Sequence, residues 1–232
     1  MKQWSDLKYN EKEQFFEYLS QFITEHKLQL FEQVLAYRTR HITLGLENIF
    51  QPQNASAVLR TCDLFGVQDV HIVENNNEYR VNPQVALGAS KWLDLHYYND
   101  DAFNTPKMFE ALRRSKYRIV ATTPHRDDCS IDELSLEKGP VALMFGTELE
   151  GLSDWAIANA DEFVRIPMYG FTESFNISVS AALVLRELSE RLRKSGLSWQ
   201  LSEEEKLDIR IKWARKVVKK SDVYEREFIN SL

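Results

Sequence analysis

The chain has 232 residues, of which 44% are hydrophobic and 28% are charged, and its formal net charge is −6. These values are typical of a globular protein with one full-sized domain and extensions, or with two small domains. No apolar run reaches membrane-spanning length and no signal peptide is visible, so we expect a cytoplasmic protein without membrane segments.

Metal and disulfide chemistry have little support in the sequence. Cys62 and Cys129 are the only cysteines and lack metal-ligand spacing, and the five histidines are scattered. Because no export signal is visible, we expect both thiols to be reduced, and we expect no bound metal.

Basic residues are clustered although the chain as a whole is acidic. Residues 206–220 contain seven basic side chains against the single acid Asp208, and smaller clusters occupy residues 113–118 and 38–41. Any one cluster is typical of a solvated surface. Three clusters in an acidic chain suggest that a negatively charged partner, such as a nucleic acid, binds locally.

Hydrophobic periodicity predicts an α/β domain between two helical segments. Strand, loop, helix and strand follow one another over residues 43–73, which is typical of a βαβ unit. The predicted strands cover residues 43–49, 67–73, 92–98, 117–122, 141–145 and 162–166. The predicted helices cover two segments within residues 10–39, then 55–65, 82–88, 102–115, a segment after residue 153, 179–192 and 203–220.

Local signals set several boundaries. Asn54 is a good N-cap for the predicted helix of residues 55–65, and Gly66 follows that helix where a left-handed residue is favoured. Polar residues 124–138 are predicted to form a loop. We therefore divide the chain into an N-terminal helical extension, a parallel-sheet domain and a C-terminal helical extension, over residues 1–41, 42–195 and 196–232.

The loops after the predicted strands are where an open α/β sheet binds its ligands. These loops are residues 51–54, 122–124 and 146–151, and residues 166–176 lie beside them. None contains a GxGxxG or P-loop pattern. A nucleotide-binding α/β enzyme of another kind is therefore an alternative for which the sequence shows no phosphate-binding motif. The polar candidates in or near these loops are Asn54, Arg60, Glu148, Ser174 and Asn176.

Some of these side chains also have purely structural interpretations. An arginine on a helix, such as Arg60, is usually exposed to solvent. Glu148, directly after a buried strand, could simply cap the next helix. The residues alone therefore leave both interpretations open.

Three segments resemble, in order, the motifs of the SpoU/TrmH branch of the SPOUT methyltransferases. Residues 48–73, NIFQPQNASAVLRTCDLFGVQDVHIV, resemble motif 1. Residues 141–153, VALMFGTELEGLS, resemble motif 2, and residues 166–183, IPMYGFTESFNISVSAAL, resemble motif 3. Within this branch the chain is most similar to the enzymes that methylate guanosine 18 of tRNA, which share arginines like Arg38 and Arg40 and a basic C-terminal helix.

The resemblance implies a fold and a cofactor. The family has an α/β parallel-sheet SPOUT fold with a C-terminal deep trefoil knot formed by motifs 2 and 3, and knots are rare among folds. Its members are homodimers with the site near the interface. S-adenosyl-L-methionine (AdoMet) binds in the knot, largely through backbone groups, and its contacts in this chain are expected from Thr122, Gly146, Ile166 and Phe175.

The resemblance also implies RNA ribose 2′-O-methylation, in which the protein positions a weak nucleophile and helps to remove its proton. Arg60 is expected to bind the phosphate beside the target ribose, because a guanidinium stays protonated, and Asn54 is expected to orient it. Glu148, Ser174 and Asn176 are expected to build the pocket between cofactor and ribose. The expected RNA-binding residues, with tRNA as the partner, are Arg38, Arg40, Arg215 and Lys216.

Alternatives within this resemblance stay open. The same chemistry could act on ribosomal RNA or on another tRNA position, although residues 1–41 are short for the separate RNA-binding domain of many ribosomal RNA enzymes in this branch. A knotted RNA-binding protein without catalysis would not need all five polar candidates. Cys62, where many relatives have a small residue, and Phe175, where leucine is common, depart from the family pattern.

Overall fold

The computed structural model of the chain describes residues 3–123 and 129–232. Residues 124–128, the first part of the predicted loop 124–138, lie outside the described residues. Contacts divide the chain into two compact units, one of residues up to Arg38 together with Gln200–Leu232 and one of Thr39–Trp199. The two terminal segments therefore belong to the same unit.

A six-stranded sheet forms the middle of the larger unit. Its strand order is β3-β2-β1-β5-β4-β6, and every neighbouring pair is parallel. β1 and β5 are buried at every residue. Burial on both faces explains why β5, VALMF, is continuously apolar rather than alternating. The predicted parallel α/β sheet is confirmed. The strands are β1 Ile42–Glu47, β2 Asp69–Val73, β3 Asp94–Tyr98, β4 Arg118–Thr122, β5 Val141–Phe145 and β6 Glu162–Val164.

Helices cover both faces of this sheet. They are α3 Pro52–Phe65, α4 Pro83–Ala86, α5 Thr105–Arg114, α6 Asp154–Asn159 and α7 Ile177–Lys194. Val58 of α3 and Leu188 of α7 belong to one hydrophobic core, whereas Met108 of α5 belongs to a second core. Neighbouring strand residues alternate between these cores, as Leu143 and Met144 do in β5, because successive side chains of a strand point to opposite faces.

The two ends of α3 differ in how well the sequence predicted them. α3 begins at Pro52 with Gln51 as its N-cap, so the prediction that Asn54 is the N-cap is wrong. Proline is favoured in the first turn of a helix, because the backbone N–H groups there have no helical acceptor and proline lacks an N–H group. Asn54 is therefore inside the helix, where its side chain is available for other contacts. Gly66 ends α3 with a φ of 81°, as predicted.

The smaller unit is helical. Its helices are α1 Tyr9–Ser20, α2 Glu25–Leu35, α8 Glu203–Val217 and α9 Ser221–Ser231. Phe15 and Leu19 of α1 share a core with Ile211 of α8. The predicted helix of residues 203–220 is confirmed over Glu203–Val217. It is not the last helix, as was predicted, because α9 follows Lys220, which adopts a φ of 59°. Within the two described segments, every helix is too short or too polar to traverse a lipid bilayer.

Two histidines stack across β2 and β3. His71 and His96 are register partners, and their ring centroids lie 4.6 Å apart. His96 Nε2 lies 2.7 Å from Asp69 Oδ1, and His71 Nδ1 lies 2.8 Å from Tyr98 Oη. Burial, with a smaller contribution from His96, lowers the pKa of His71 to about 4. The folded chain therefore keeps His71 neutral at neutral pH.

Acidification is expected to destabilise the fold through His71. An unfolded histidine has a pKa of about 6.5. Below that pH, His71 is therefore protonated in the unfolded chain, whereas in the folded chain it stays neutral down to about pH 4. The free energy of unfolding should fall by about 2 kcal/mol from this residue between about pH 7.5 and pH 5. Denaturant unfolding of His71→Gln at both pH values should show a correspondingly smaller loss.

His26→Gln is the matched control, because His26 is an exposed histidine of α2. This variant should keep the pH dependence of the wild-type chain. An unchanged pH dependence in His71→Gln would contradict the assignment.

Candidate active site

A cavity of ≈490 Å³ opens at the edge of the sheet where β4, β5 and β6 end. Loops that are distant in sequence meet there, because parallel strands end at the same edge. The lining includes Thr122 and Thr123 after β4, residues 145–152 after β5 and residues 164–166 after β6. It continues through residues 173–175 to the first turns of α7.

Six residues that the sequence singled out line this cavity. Four are the residues expected to contact AdoMet, and two are polar candidates for the chemistry. They are Thr122, Gly146, Ile166 and Phe175, and then Glu148 and Ser174.

Three polar candidates, one from each motif-like segment, form a hydrogen-bonded network at this cavity. Asn54 Nδ2 donates to Glu148 Oε1 at 2.5 Å, and Asn176 Nδ2 donates to the same oxygen at 2.7 Å. Asn176 Nδ2 also lies 3.1 Å from Asn54 Oδ1. Hydrogen bonds to a carboxylate are stronger than those between neutral groups. The network therefore ties the loop after β5 to α3 and to the start of α7.

The acceptor end of Asn176 has a structural task of its own. Asn176 is the N-cap of α7, and its Oδ1 accepts hydrogen bonds from Ser178 N at 2.8 Å and from Ser178 Oγ at 2.6 Å. The helix thus begins at Ile177, two residues before the predicted start at Val179. The cap leaves the amide Nδ2 directed to Glu148.

A tight turn carries Glu148. Thr147 and Gly151 pair through two backbone hydrogen bonds of 2.9 and 3.1 Å, and Gly151 has a φ of 72°. A Cβ added to Gly146 would lie 2.0 Å from the carbonyl carbon and oxygen of Gly151. The turn therefore excludes a side chain at Gly146.

Arg60 lies outside this network. It is exposed on α3, six residues after Asn54, and at 3.6 residues per turn the two side chains point about 120° apart. Within the described residues Arg60 forms no hydrogen bond or ion pair, and it does not line the cavity. Asn54 bonds to Glu148 and Asn176 rather than to Arg60, so one copy of the chain does not join the two residues as the resemblance implied.

Arg38 and Arg40 take part in internal contacts. Arg38 is only 1% exposed, and its guanidinium lies 5.5 Å from the centre of the Trp213 ring. Arg40 precedes β1 and pairs with Asp69 at 2.7 Å and with Asp94 at 3.1 Å, at the edge of the sheet opposite the cavity. Because Arg38 would have to leave the interior to reach RNA, we omit it from the RNA surface proposed below.

The two predicted RNA-binding residues of α8 differ in exposure. Lys216 is exposed, whereas Arg215 forms ion pairs of 2.8 Å with Asp222 and with Glu225. Asp222 is largely exposed, and exposed ion pairs contribute only about 0–1 kcal/mol. A phosphate group of RNA could therefore replace Asp222 as the partner of Arg215 at little cost in free energy.

A buried carboxylate behind the cavity was missed in the sequence. Glu47 ends β1, is 2% exposed and accepts hydrogen bonds from Ser153 N and Ser153 Oγ, both at 2.8 Å. The hydroxyl of Thr105 also donates to it. An acidic residue at the end of an otherwise uncharged buried strand was the available signal.

The charged side chains that line the cavity are mostly acidic. Among the described lining residues, four carboxylates accompany a single guanidinium, that of Arg165. Such a lining favours a ligand that carries positive charge. The four carboxylates belong to Glu148, Glu150, Asp154 and Glu173.

Comparison with known proteins identifies the family. The family described as "SpoU rRNA Methylase family" matches residues 41–186, which is more than half of the chain. The chain belongs to the SpoU rRNA Methylase family. The resemblance seen in the three motif-like segments is confirmed.

Proteins similar to this chain include two named tRNA (guanosine(18)-2′-O)-methyltransferase. The protein of Borreliella burgdorferi is 44% identical over 92% of this chain and 95% of its own length. The protein of Thermus thermophilus is 35% identical over 75% of this chain and 87% of its own length. The solved structure of the A. aeolicus TrmH/SpoU tRNA modifying enzyme is 29% identical, with a TM-score of 0.74 over 84% of this chain and 98% of that chain.

Gly146→Ala is expected to destabilise this SpoU-family chain by about 3 kcal/mol, because the new methyl group meets backbone atoms that cannot move aside cheaply. Gly170→Ala is the matched control, since a Cβ there would meet only Thr172 N, at 3.9 Å. Denaturant unfolding should show a loss in the first variant and none in the second. Equal stabilities would contradict the described turn.

Proposed function

We propose that this chain transfers the methyl group of AdoMet to the ribose 2′-hydroxyl of guanosine 18 in tRNA. Relatives that match most of its length carry this activity in their names. The observation that carries the proposal is the network of Asn54, Glu148 and Asn176 at the cavity. It unites one polar residue from each motif at the edge where an α/β sheet binds ligands.

The cavity suits AdoMet in size and in charge. Its volume of ≈490 Å³ lies within the range of about 300–1,000 Å³ that is typical of small-molecule sites. Its excess of carboxylates complements the positive sulfonium and ammonium groups of AdoMet. The residues assigned to hold AdoMet are Thr122, Gly146, Ile166 and Phe175.

When bound, AdoMet supplies a methyl group that its sulfonium sulfur already activates. The ribose 2′-oxygen would accept this methyl group with the sulfur of AdoMet as the leaving group, and the hydroxyl proton would pass by way of the neighbouring phosphate to water. The products are 2′-O-methylribose and S-adenosylhomocysteine. The chain positions the hydroxyl and assists departure of the proton, and Glu148, Ser174 and Asn176 form the wall between cofactor and ribose.

Arg60 is assigned to the phosphate beside the target ribose. Its guanidinium stays protonated, so it does not act as a base, but it can hold two phosphate oxygens at once. The phosphate held next to the 2′-hydroxyl then helps to accept the proton. Arg60 is exposed and has no partner within the described residues, which leaves its guanidinium available to RNA.

We assign Arg60 to the site of the other subunit of a homodimer, because it does not line the cavity of its own copy. Exposed apolar side chains support an interface near the site. Large exposed apolar patches mark contacts between proteins. The side chains in question are Leu64 of α3, Phe175 before α7, and Val179 and Leu183 on α7.

The terminal helical extensions, residues 1–41 and 196–232, are assigned to tRNA binding, with Lys216 and Arg215 of α8 and with Arg40 before β1. Because these basic residues stand in a chain of net charge −6, affinity should depend on local phosphate contacts and fall steeply with salt. Since tRNA is the substrate, we place the activity in the cytoplasm.

A deep trefoil knot built from residues 141–153 and 166–183 is part of the proposal. The strand order supports it, because β5 lies between β1 and β4 while β6 lies on the far side of β4. The chain therefore crosses β4 between β5 and β6, and then returns to α7, which packs with α3 on one face of the sheet. These crossings involve the same segments that line the cavity.

Methyl transfer from labelled AdoMet to unmodified tRNA tests the function. We expect label in the ribose of guanosine 18, located by nuclease mapping, and no label in a tRNA with 2′-deoxyguanosine at that position, since it lacks the nucleophile. Label in ribosomal RNA would retain the chemistry and overturn the substrate. Bound AdoMet without label in either RNA would favour an RNA-binding protein without catalysis.

Arg60→Ala should reduce turnover at least about 100-fold, because the phosphate that helps to accept the proton is no longer held beside the 2′-hydroxyl. Binding of AdoMet, measured by calorimetry, should stay unchanged. Arg60→Lys keeps the charge but cannot form a bidentate hydrogen bond with the phosphate, so its turnover should lie between those of the wild type and Arg60→Ala. Wild-type turnover in Arg60→Ala would remove Arg60 from the mechanism.

The same variant decides in which subunit Arg60 acts. Arg60→Ala and Asn176→Ala are each expected to be inactive alone. After mixing and subunit exchange, action across the dimer restores about a quarter of wild-type activity, since half the dimers are mixed and each has one intact site. Action within one subunit restores none.

A further inference from the structure

Glu47 is buried without a cation. Its carboxylate accepts hydrogen bonds from the amide and hydroxyl of Ser153, each at 2.8 Å, and from the hydroxyl of Thr105. All three donors are neutral, and no lysine, arginine or histidine of the described residues forms an ion pair with Glu47. Burial of such a group opposes folding unless its hydrogen bonds are well made. An apolar side chain would suit this strand better if stability were the only requirement.

The group that Glu47 holds lies at the base of the cavity loop. Ser153 follows Leu152 and precedes Asp154, and both of these neighbours line the cavity, whereas Glu47 does not. Ser153 is also the N-cap of α6, since its Oγ accepts a hydrogen bond from Ala156 N at 3.2 Å. Glu47 therefore fixes the point at which the loop becomes a helix.

The loop is thereby restrained at both ends. Its first end continues directly from β5, and the bridge between Thr147 and Gly151 closes the turn. Its second end depends on Ser153, whose amide and hydroxyl both bond to Glu47. Without Glu47, Ser153 would lose both of its hydrogen bonds to β1, and the packing of Leu152 in the core would have to hold this end of the loop.

We propose that Glu47 is a positioning residue that preorganises the cavity loop, residues 146–152, for AdoMet. The proposal rests on the proposed function, because AdoMet is the ligand that the loop would hold. A loop that is ordered before binding does not lose conformational entropy when the ligand arrives. Glu47 contributes to affinity in this way although it does not line the cavity.

Calorimetric titration with AdoMet tests the proposal. Glu47→Ala should weaken AdoMet binding at least about tenfold, because the loop must then be ordered on binding. Glu47→Gln should bind within about threefold of wild type, because its amide oxygen still accepts from Ser153 N and its NH₂ can donate to the two hydroxyl oxygens. Hydrogen exchange in residues 146–153 should accelerate in Glu47→Ala and not in Glu47→Gln.

Thr43→Val is the matched control. Thr43 is fully buried on the same face of β1, near its other end, and its hydroxyl donates to Asp69 O at 2.6 Å. This variant also loses a buried hydrogen bond, but AdoMet affinity and exchange in the loop should stay unchanged. If Glu47→Ala does not fold, Ser153→Ala serves in its place, because it removes the hydroxyl contact and keeps the amide contact.

Wild-type affinity in Glu47→Ala, or in its substitute Ser153→Ala, would overturn the proposal. Equal weakening by Thr43→Val would also overturn it, since the effect would then reflect general destabilisation. If the wild-type chain itself does not bind AdoMet, the proposed function fails. In that case unchanged loop exchange in Glu47→Ala would still refute the anchoring, and accelerated exchange would support it.

Discussion

All six strands run in the same direction, and the site depends on this constraint. Parallel strands place their carboxyl ends at one edge, so Asn54 and Asn176 come within 3.1 Å although 122 positions separate them. At the opposite edge, Arg40 pairs with Asp69 and Asp94 and ties together the starts of neighbouring strands. The ion pairs that hold the strands and the hydrogen bonds that build the cavity therefore lie at different edges.

The charges at the cavity create a conflict that the proposed reaction has to resolve. Carboxylates that attract a sulfonium cofactor repel the phosphates of RNA. Arg165 is the lone cation among the described lining residues, so further positive charge must come from outside the cavity, which is the role assigned to Arg60. Methyl transfer removes the sulfonium charge, and the attraction of the lining for the product then weakens.

Sequence patterns predicted the features with strong local causes. The apolar run of β5 and the glycine after α3 follow from burial and from backbone freedom, and both were predicted. Other features depend on tertiary contacts that no local pattern encodes, such as the burial of Arg38 against Trp213 and the break between α8 and α9. The N-cap of α3 failed because Asn54 and Pro52 are competing signals, and the proline determined the start.

Two carboxylates hold the cavity loop, Glu148 within it and Glu47 at the end of β1, and their hydrogen bonds differ in how easily water or a ligand can replace them. Glu148 is exposed, so water and an arriving ligand compete for its hydrogen bonds with Asn54 and Asn176. Glu47 is buried, so its bonds to Ser153 have no such competitor, and breaking them would leave a carboxylate unsatisfied in the interior. The loop is therefore held firmly where it meets the sheet, whereas the hydrogen bonds at its tip can be replaced by a ligand. The proposed reaction requires both properties, because the site must hold a cofactor and also admit a ribose.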